Sequence, residues 1–364
     1  MSVEAAELSQ PLGGVRGQWL NNPRWDLMFL IFSAALVPFP WVTAWVIGQL
    51  TGNPQLATSW VNYIVAAIVG GPHMYATYTL TYMDKNWRKR YAPLAAIGAL
   101  LPVLVIVLAL TNLRLLLTIF FFWASVHVLH QITYLVTCYR NREAKPVPLK
   151  WRLVDYALVF SSLYPVATYK LTHDQFNISG MVLVIPQFLK ADWVWISVCV
   201  LFATFLFLFL YKTWTEVKAG TVNWGATLLI LITVCIAVPL PAAENMDVAF
   251  QGFNTWHSFQ YLFLVYLIHR IRKQRGETSA AIVEKISGEG RGLAFYAFNV
   301  GITLAAGAAV YVLHLITGLD TTKCYYIVVL SFLLLHYFTD HILFFRFDAV
   351  DSPMPARRQV RAAA

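Results

Sequence analysis

The chain consists of long apolar runs separated by short polar loops. Each run is close to the ~20 residues that an α-helix needs to cross the hydrocarbon core of a bilayer. The ten runs cover residues 26–50, 59–84, 92–111, 113–138, 153–170, 192–211, 223–241, 247–268, 293–317 and 324–346. This pattern predicts an all-α integral membrane protein with about ten transmembrane helices.

Positive charge alternates between the loops. The loops after the second, fourth, sixth, eighth and tenth runs are rich in lysine and arginine, whereas the other loops carry little positive charge. Because short basic loops stay on the cytoplasmic side, both termini are predicted to be cytoplasmic. The predicted organisation is a cytoplasmic segment at 1–25, one transmembrane helical domain at 26–346 and a basic cytoplasmic tail at 347–364. A short surface helix is expected near 278–286.

Composition supports a membrane protein. Hydrophobic residues make up 59% of the chain, and only 12% of its residues are charged, about half the usual share for a soluble domain. The net charge of +9 is spread over the loops, which argues against a nucleic-acid-binding face. The expected location is a bacterial-type inner (plasma) membrane, crossed many times. The expected partners are membrane lipids and a lipid-soluble small molecule, with no nucleic acid.

Histidines inside the apolar runs are the most informative residues. Four of them lie 10 to 13 residues before the first basic residue of the following loop, so at ~1.5 Å per residue they share a level near mid-membrane. These four are His73, His127, His257 and His336. Ionisable side chains are costly at this depth and usually mark a site. Neutral imidazole commonly binds iron, zinc and copper, so the pattern predicts a metal or haem centre.

Three further residues extend this set of candidate metal ligands. His130 follows His127 by three residues and shares its helix face. Asp340 follows His336 by four, so its carboxylate is expected either to bind the metal or to orient the imidazole by a hydrogen bond. His341 points about 140° away from His336. A second metal ion would need His341 or His130.

Short patches of the sequence resemble the Brp/Blh family, bacterial integral membrane β-carotene 15,15'-dioxygenases that split carotene into retinal. The patches are Pro72 with His73, the histidines at 127 and 130, His257 with Ser258, and His336 with Asp340. The resemblance implies a ferrous ion held by His73, His257 and either His127 or His130. Tyr261 stands where the family has a second histidine, so the resemblance is distant and the substrate need not be carotene.

Three functions are compatible with these residues. The first is a membrane-embedded non-haem iron oxygenase, with one or two ions and O₂ as co-substrate, that oxidises or cleaves a polyene, isoprenoid or acyl chain. The second is a haem-binding membrane cytochrome in quinone-linked electron transfer. The third is a proton- or metal-coupled transporter, against which the chain shows no internal repeat. The oxygenase is favoured, and the sequence identifies no electron donor for it.

Overall fold

Ten helical segments follow one another in the computed structural model, which describes residues 19–277, 280–346 and 350. They are α1 Pro23–Thr51, α2 54–80, α3 Ala92–Thr111, α4 Leu113–Arg140, α5 149–172, α6 Asp192–Lys218, α7 Trp224–Ala242, α8 Met246–Gln274, α9 Gly292–Thr317 and α10 Thr321–Leu343. The described chain is therefore all-α, apart from one small hairpin, as predicted. Most of the predicted N-terminal segment 1–25 and of the tail 347–364 lies outside the described residues.

Several segments are built from shorter helices. The pieces are a first turn Pro23–Trp25, a π-helix Asp26–Ile31, a 3₁₀-helix Phe32–Leu36 and Phe39–Thr51 in α1; Pro54–Val65, a π-helix Ala66–Gly70 and Gly71–Leu80 in α2; Ala92–Gly98 and Leu101–Thr111 in α3; Leu149–Ser162 and Tyr164–Thr172 in α5; Trp224–Ala237 and a 3₁₀-helix Leu240–Ala242 in α7; and Thr321–Tyr325, a π-helix Tyr326–Leu330 and Ser331–Leu343 in α10. The interruptions in α2 and α10 precede histidines.

The loops contain little regular structure. Short helices cover Lys85–Arg90 and Ala281–Ile286, the second within the predicted surface helix. After α5, the antiparallel strands β1 (Asn177–Ile178) and β2 (Met181–Val182) form a hairpin, which a 3₁₀-turn at Gln187–Leu189 follows.

Seven segments are long and apolar enough to cross a membrane: α1, α3, α4, α6, α7, α9 and α10. The apolar windows of α6 and α9 are each only 6% buried. Large side chains such as Phe207, Leu304 and Ile316 are exposed on them, at 69%, 61% and 78%. Water would not tolerate so continuous an apolar surface, so these helices face lipid and the chain is a helical membrane protein.

The second half of α2 and most of α8 lie inside the bundle. Almost every residue of Gly71–Leu80 is buried, and α8 is buried along most of its 29 residues. Helix α8 packs against α1, α2, α4 and α9. Because protein rather than lipid surrounds these two stretches, they can carry polar side chains that would be costly against hydrocarbon. Their lower hydropathy is a consequence of that position.

The middle of α2 is shaped by Gly71 and Pro72. A Cβ at Gly71 would lie 2.3 Å from Cγ2 of Thr303, so only glycine permits this approach of α9. Pro72 has no N–H to donate to the carbonyl of Ile68. The hydroxyl of Tyr296 on α9 donates to that carbonyl instead, at 2.6 Å. The carbonyl freed by the proline is therefore satisfied by α9, and these contacts hold the backbone that carries His73.

A turn after α2 is tied to the end of α8. The Asp84 carboxylate accepts hydrogen bonds from the backbone N–H groups of Asn86 and Trp87, at 2.7 and 3.0 Å, and pairs with Arg272. Burial acts to raise the pKa of Asp84, but the Trp87 N–H and the Arg272 guanidinium outweigh it and hold the pKa below its usual value. The contact therefore joins the two interior helices through a charged group.

A buried ion cluster joins α4, α5 and α6. The Asp155 carboxylate accepts a hydrogen bond from Arg140 Nε at 3.0 Å and lies 2.7 Å from Lys212 Nζ. All three side chains are about 1% exposed. Because each charge is removed from water, the cluster is tolerated only while both signs are present.

The substitution Asp155→Asn should destabilise the protein by roughly 3–5 kcal/mol, because it leaves two buried cations without their main counter-ion. Thermal unfolding of the purified protein in detergent measures the effect. The matched control is Asp174→Asn, which removes an ion pair to Lys190. Because the Asp174 side chain is about half exposed, this pair is worth about 1 kcal/mol or less. Equal stability of the two variants would contradict the structural role of the cluster.

Candidate metal centre

Four histidines from four different helices meet in the interior of the bundle. His73 comes from α2, His127 from α4, His257 from α8 and His336 from α10. Each offers one ring nitrogen, and these four atoms lie within 4.8 Å of one another. No ring is more than 2% exposed. The convergence predicted from their common depth is confirmed, and the group could hold a metal ion.

The spacing of the ring nitrogens suits a single ion. Nε2 of His73 lies 3.1 Å from Nε2 of His336, and Nε2 of His127 lies 3.1 Å from Nε2 of His257. Nitrogens bonded to one tetrahedral ion at ~2.0–2.1 Å would be about 3.4 Å apart. The observed separations between the ring nitrogens run from 3.1 Å to at most 4.8 Å, and the tetrahedral value lies within this range.

The hydrogen bond on the outer side of the His73 ring defines its tautomer. Nδ1 of His73 contacts the backbone carbonyl of Gly70, in the π-helical part of α2. A carbonyl oxygen can only accept, so Nδ1 carries the proton and donates it. Nε2 of His73 therefore presents a lone pair to the centre, which is the form that binds a metal.

The same argument applies to His336, whose partner is a threonine. Thr77 Oγ1 donates its proton to Asp340 Oδ1 at 3.0 Å. It therefore accepts from Nδ1–H of His336, 2.6 Å away, and Nε2 of His336 also presents a lone pair. Two lone pairs face each other across 3.1 Å between His73 and His336. A cation between the rings removes this repulsion, whereas an imidazolium at such a buried position would be costly.

Asp340 places a carboxyl group beside the four rings. Its Oδ1 accepts hydrogen bonds from Tyr261 at 2.7 Å and from Thr77. Its Oδ2 has no hydrogen-bond partner among the described residues and lies 3.4 Å from Nδ1 of His336 and 4.0 Å from Nε2 of His127. The side chain is fully buried, and no lysine or arginine of the described chain pairs with it. A bound cation would favour the ionised form of this carboxyl group and balance its charge.

His130 and His341 form a separate pair. Trp123 Nε1 can only donate, so its 3.0 Å bond to His341 Nε2 leaves the proton of that imidazole on Nδ1. His341 Nδ1–H then donates to His130 Nδ1 at 2.7 Å. Both rings are partly exposed and lie outside the four-histidine group. The structure thus brings four of the six predicted histidines together, with Asp340 beside them.

Two contacts around the centre were not expected. Thr77 follows His73 by four residues, a spacing that could have indicated its place on the same face. Tyr337 stacks on the ring of His127, with centroids 4.3 Å apart. His269, near the end of α8, is 4% exposed and lies 2.7 Å from the hydroxyl of Thr79.

A cavity of about 640 Å³ reaches the centre at His73. It lies among α2, α4, α8, α9 and α10, and its walls are mainly apolar. Leu304 and Tyr311 of α9 line it and are each 61% exposed on the lipid-facing surface. The cavity therefore borders the lipid-facing surface of α9.

No family model, curated protein or solved structure matches this chain.

The variants His73→Ala, His127→Ala and His257→Ala should each lose most of the bound metal, because every deletion removes one of four ligands. Metal per chain, measured by inductively coupled plasma mass spectrometry on the purified protein, gives the result. Asp340→Asn should retain the four imidazoles but bind the metal about 10–100-fold more weakly.

The controls for this measurement are His173→Ala and His314→Ala. Both rings lie away from the centre and bond the backbone carbonyls of Tyr169 and Leu319. They should keep the wild-type metal content. Equal metal content in all the variants would show that the four histidines do not form the site.

Proposed function

We propose that the protein is a membrane-embedded, metal-dependent oxidoreductase in which one non-haem iron ion, with O₂ as co-substrate, oxidises or cleaves a lipid-soluble molecule. The observation that carries the proposal is the convergence of four buried imidazoles beside an apolar cavity that borders the lipid-facing surface of α9. A polyene, isoprenoid or acyl chain can enter such a cavity without leaving the membrane.

The residues have distinct roles in this proposal. His73, His127, His257 and His336 hold the iron, which supplies the capacity to bind and activate O₂. Asp340 balances the charge and, through Thr77, keeps the proton of His336 on Nδ1. The apolar walls of the cavity exclude water and align the chain of the substrate with the centre at His73.

The geometry favours this function over the cytochrome. In a haem with two axial histidines the porphyrin lies between their nitrogens, and the pairs His73–His336 and His127–His257, at 3.1 Å, leave no room for it. Support for two ions is also weaker than for one. His130 and His341 hydrogen-bond to each other rather than facing the four-histidine group.

Purified protein should contain iron, show no Soret absorption band and consume O₂ only when a lipid-soluble substrate is supplied. Incubation under ¹⁸O₂ with a panel of polyenes, isoprenoids and acyl lipids, followed by mass spectrometry, should detect the label in product. His127→Ala should abolish incorporation, whereas His173→Ala should leave it unchanged. A Soret band would support the cytochrome, and iron-loaded protein that labels no lipid would contradict the oxygenase.

We propose further that all ten segments cross the membrane, with both termini in the cytoplasm of a bacterial-type cell. The alternation of basic loops along the sequence supports this orientation. Green fluorescent protein fused to the C-terminus should fluoresce, because it folds in the cytoplasm, and alkaline phosphatase at the same point should be inactive. The opposite pattern would contradict the orientation.

A further inference from the structure

A buried hydroxyl on the wall of the cavity next to the metal centre has no hydrogen-bond partner within the described protein. Tyr75 of α2 lines the cavity and is 3% exposed. Its hydroxyl has no hydrogen-bond partner among the described residues. Buried tyrosine hydroxyls usually have a partner, because an unpaired polar group in an apolar setting costs free energy. This hydroxyl therefore needs an explanation.

Several other polar groups of the cavity wall hydrogen-bond to one another. Gln251 donates to Asn62 at 2.9 Å and accepts from Asn254 at 3.1 Å, and Asn254 accepts from Ser258 at 3.1 Å. Asp247, at the edge of the cavity, accepts from Ser179. Unlike the Tyr75 hydroxyl, each of these side chains therefore has a partner within the protein.

The position of the Tyr75 ring is fixed by its neighbours. Phe332 of α10 packs edge-on against it, with centroids 5.7 Å apart, and Tyr78 lies 6.1 Å away. Tyr75 and His73 are two residues apart on α2 and line the same cavity. A molecule in the cavity could therefore contact the metal centre and the phenol at different points along its length.

We propose that the cavity takes a lipophile that carries a hydrogen-bond-accepting oxygen, a hydroxyl or a carbonyl, and that Tyr75 donates to this oxygen. The inference rests on the proposed function, in which the cavity holds the substrate, and it narrows the substrate class to oxygen-bearing lipids. Tyr75 acts as a specificity-determining residue. A site built to hydrogen-bond one substrate oxygen discriminates against the hydrocarbon analogue that lacks it.

Two fluorescent probes test this inference because they differ only in the oxygen: 4-(1-pyrenyl)butanol and 1-butylpyrene. Binding to the full-length protein in nanodiscs is measured by energy transfer from tryptophan to pyrene. The wild type should bind the alcohol more tightly than Tyr75→Phe does, by about 2- to 13-fold. The affinity for the hydrocarbon should be the same in both proteins. The two probes partition differently into the lipid of the nanodisc. Each probe is therefore compared between the two proteins, for which its partition into lipid is the same.

Tyr63→Phe is the matched control, because Tyr63 lies on the same helix, lines the same cavity and is 56% exposed. It should bind both probes as the wild type does. The inference is overturned if Tyr75→Phe weakens both probes equally, if it changes neither, or if the wild type binds neither.

Metal content separates this inference from the proposed function. Tyr75→Phe removes no proposed ligand and should keep the wild-type iron content. A protein that contains no iron, yet loses its affinity for the alcohol on Tyr75→Phe, would refute the oxygenase and leave the inference standing. An iron-containing protein in which Tyr75→Phe has no effect on either probe would refute the inference alone.

Discussion

The interior of this protein depends on the balance of charge around Asp340. The carboxylate is fully buried, and no lysine or arginine of the described chain reaches it. An uncompensated buried charge costs several kcal/mol, and the surrounding bilayer offers no water to reduce that cost. A cation held by the adjacent imidazoles would supply the missing charge and would use the lone pairs that His73 and His336 direct at each other. A metal ion at this position would thus join four helices through one electrostatic interaction.

The same constraint applies to the other polar groups near the centre. Their polar atoms must find partners inside the bundle, so they lie on helix faces that are covered by protein. Gln131 and Gln260 illustrate this: Gln131 donates to Gln260 at 2.8 Å, and Gln260 in turn bonds the backbone carbonyl of Leu30 in α1. The helices α6 and α9 carry no such group at the centre and present apolar side chains to lipid.

The fold class and the common depth of the four central histidines could be predicted because both follow from counting residues along the chain. Basic loops mark the ends of the apolar runs, and counting back from them gives the depth of His257 or His127. The rotation of each helix about its own axis, and the identity of the helices that pack beside it, do not follow from residue counts along the chain. The pairing of His130 with His341 depends on Trp123, and the burial of His269 depends on α8 being enclosed. The cavity likewise arises only where α9 packs beside the others.

In the proposed function, the four imidazoles and the carboxyl group of Asp340 would hold one ion, and the substrate would approach it from one side. Dinuclear iron centres in helical bundles use several carboxylates, whereas Asp340 is the one carboxylate that contacts this group among the described residues. The cavity reaches only one of the four rings, His73, and the other three are enclosed by protein. A long chain in the cavity would therefore present one short stretch of its length to the centre. The depth to which the cavity admits the chain, rather than the chemistry of the imidazoles, would determine which bond reacts.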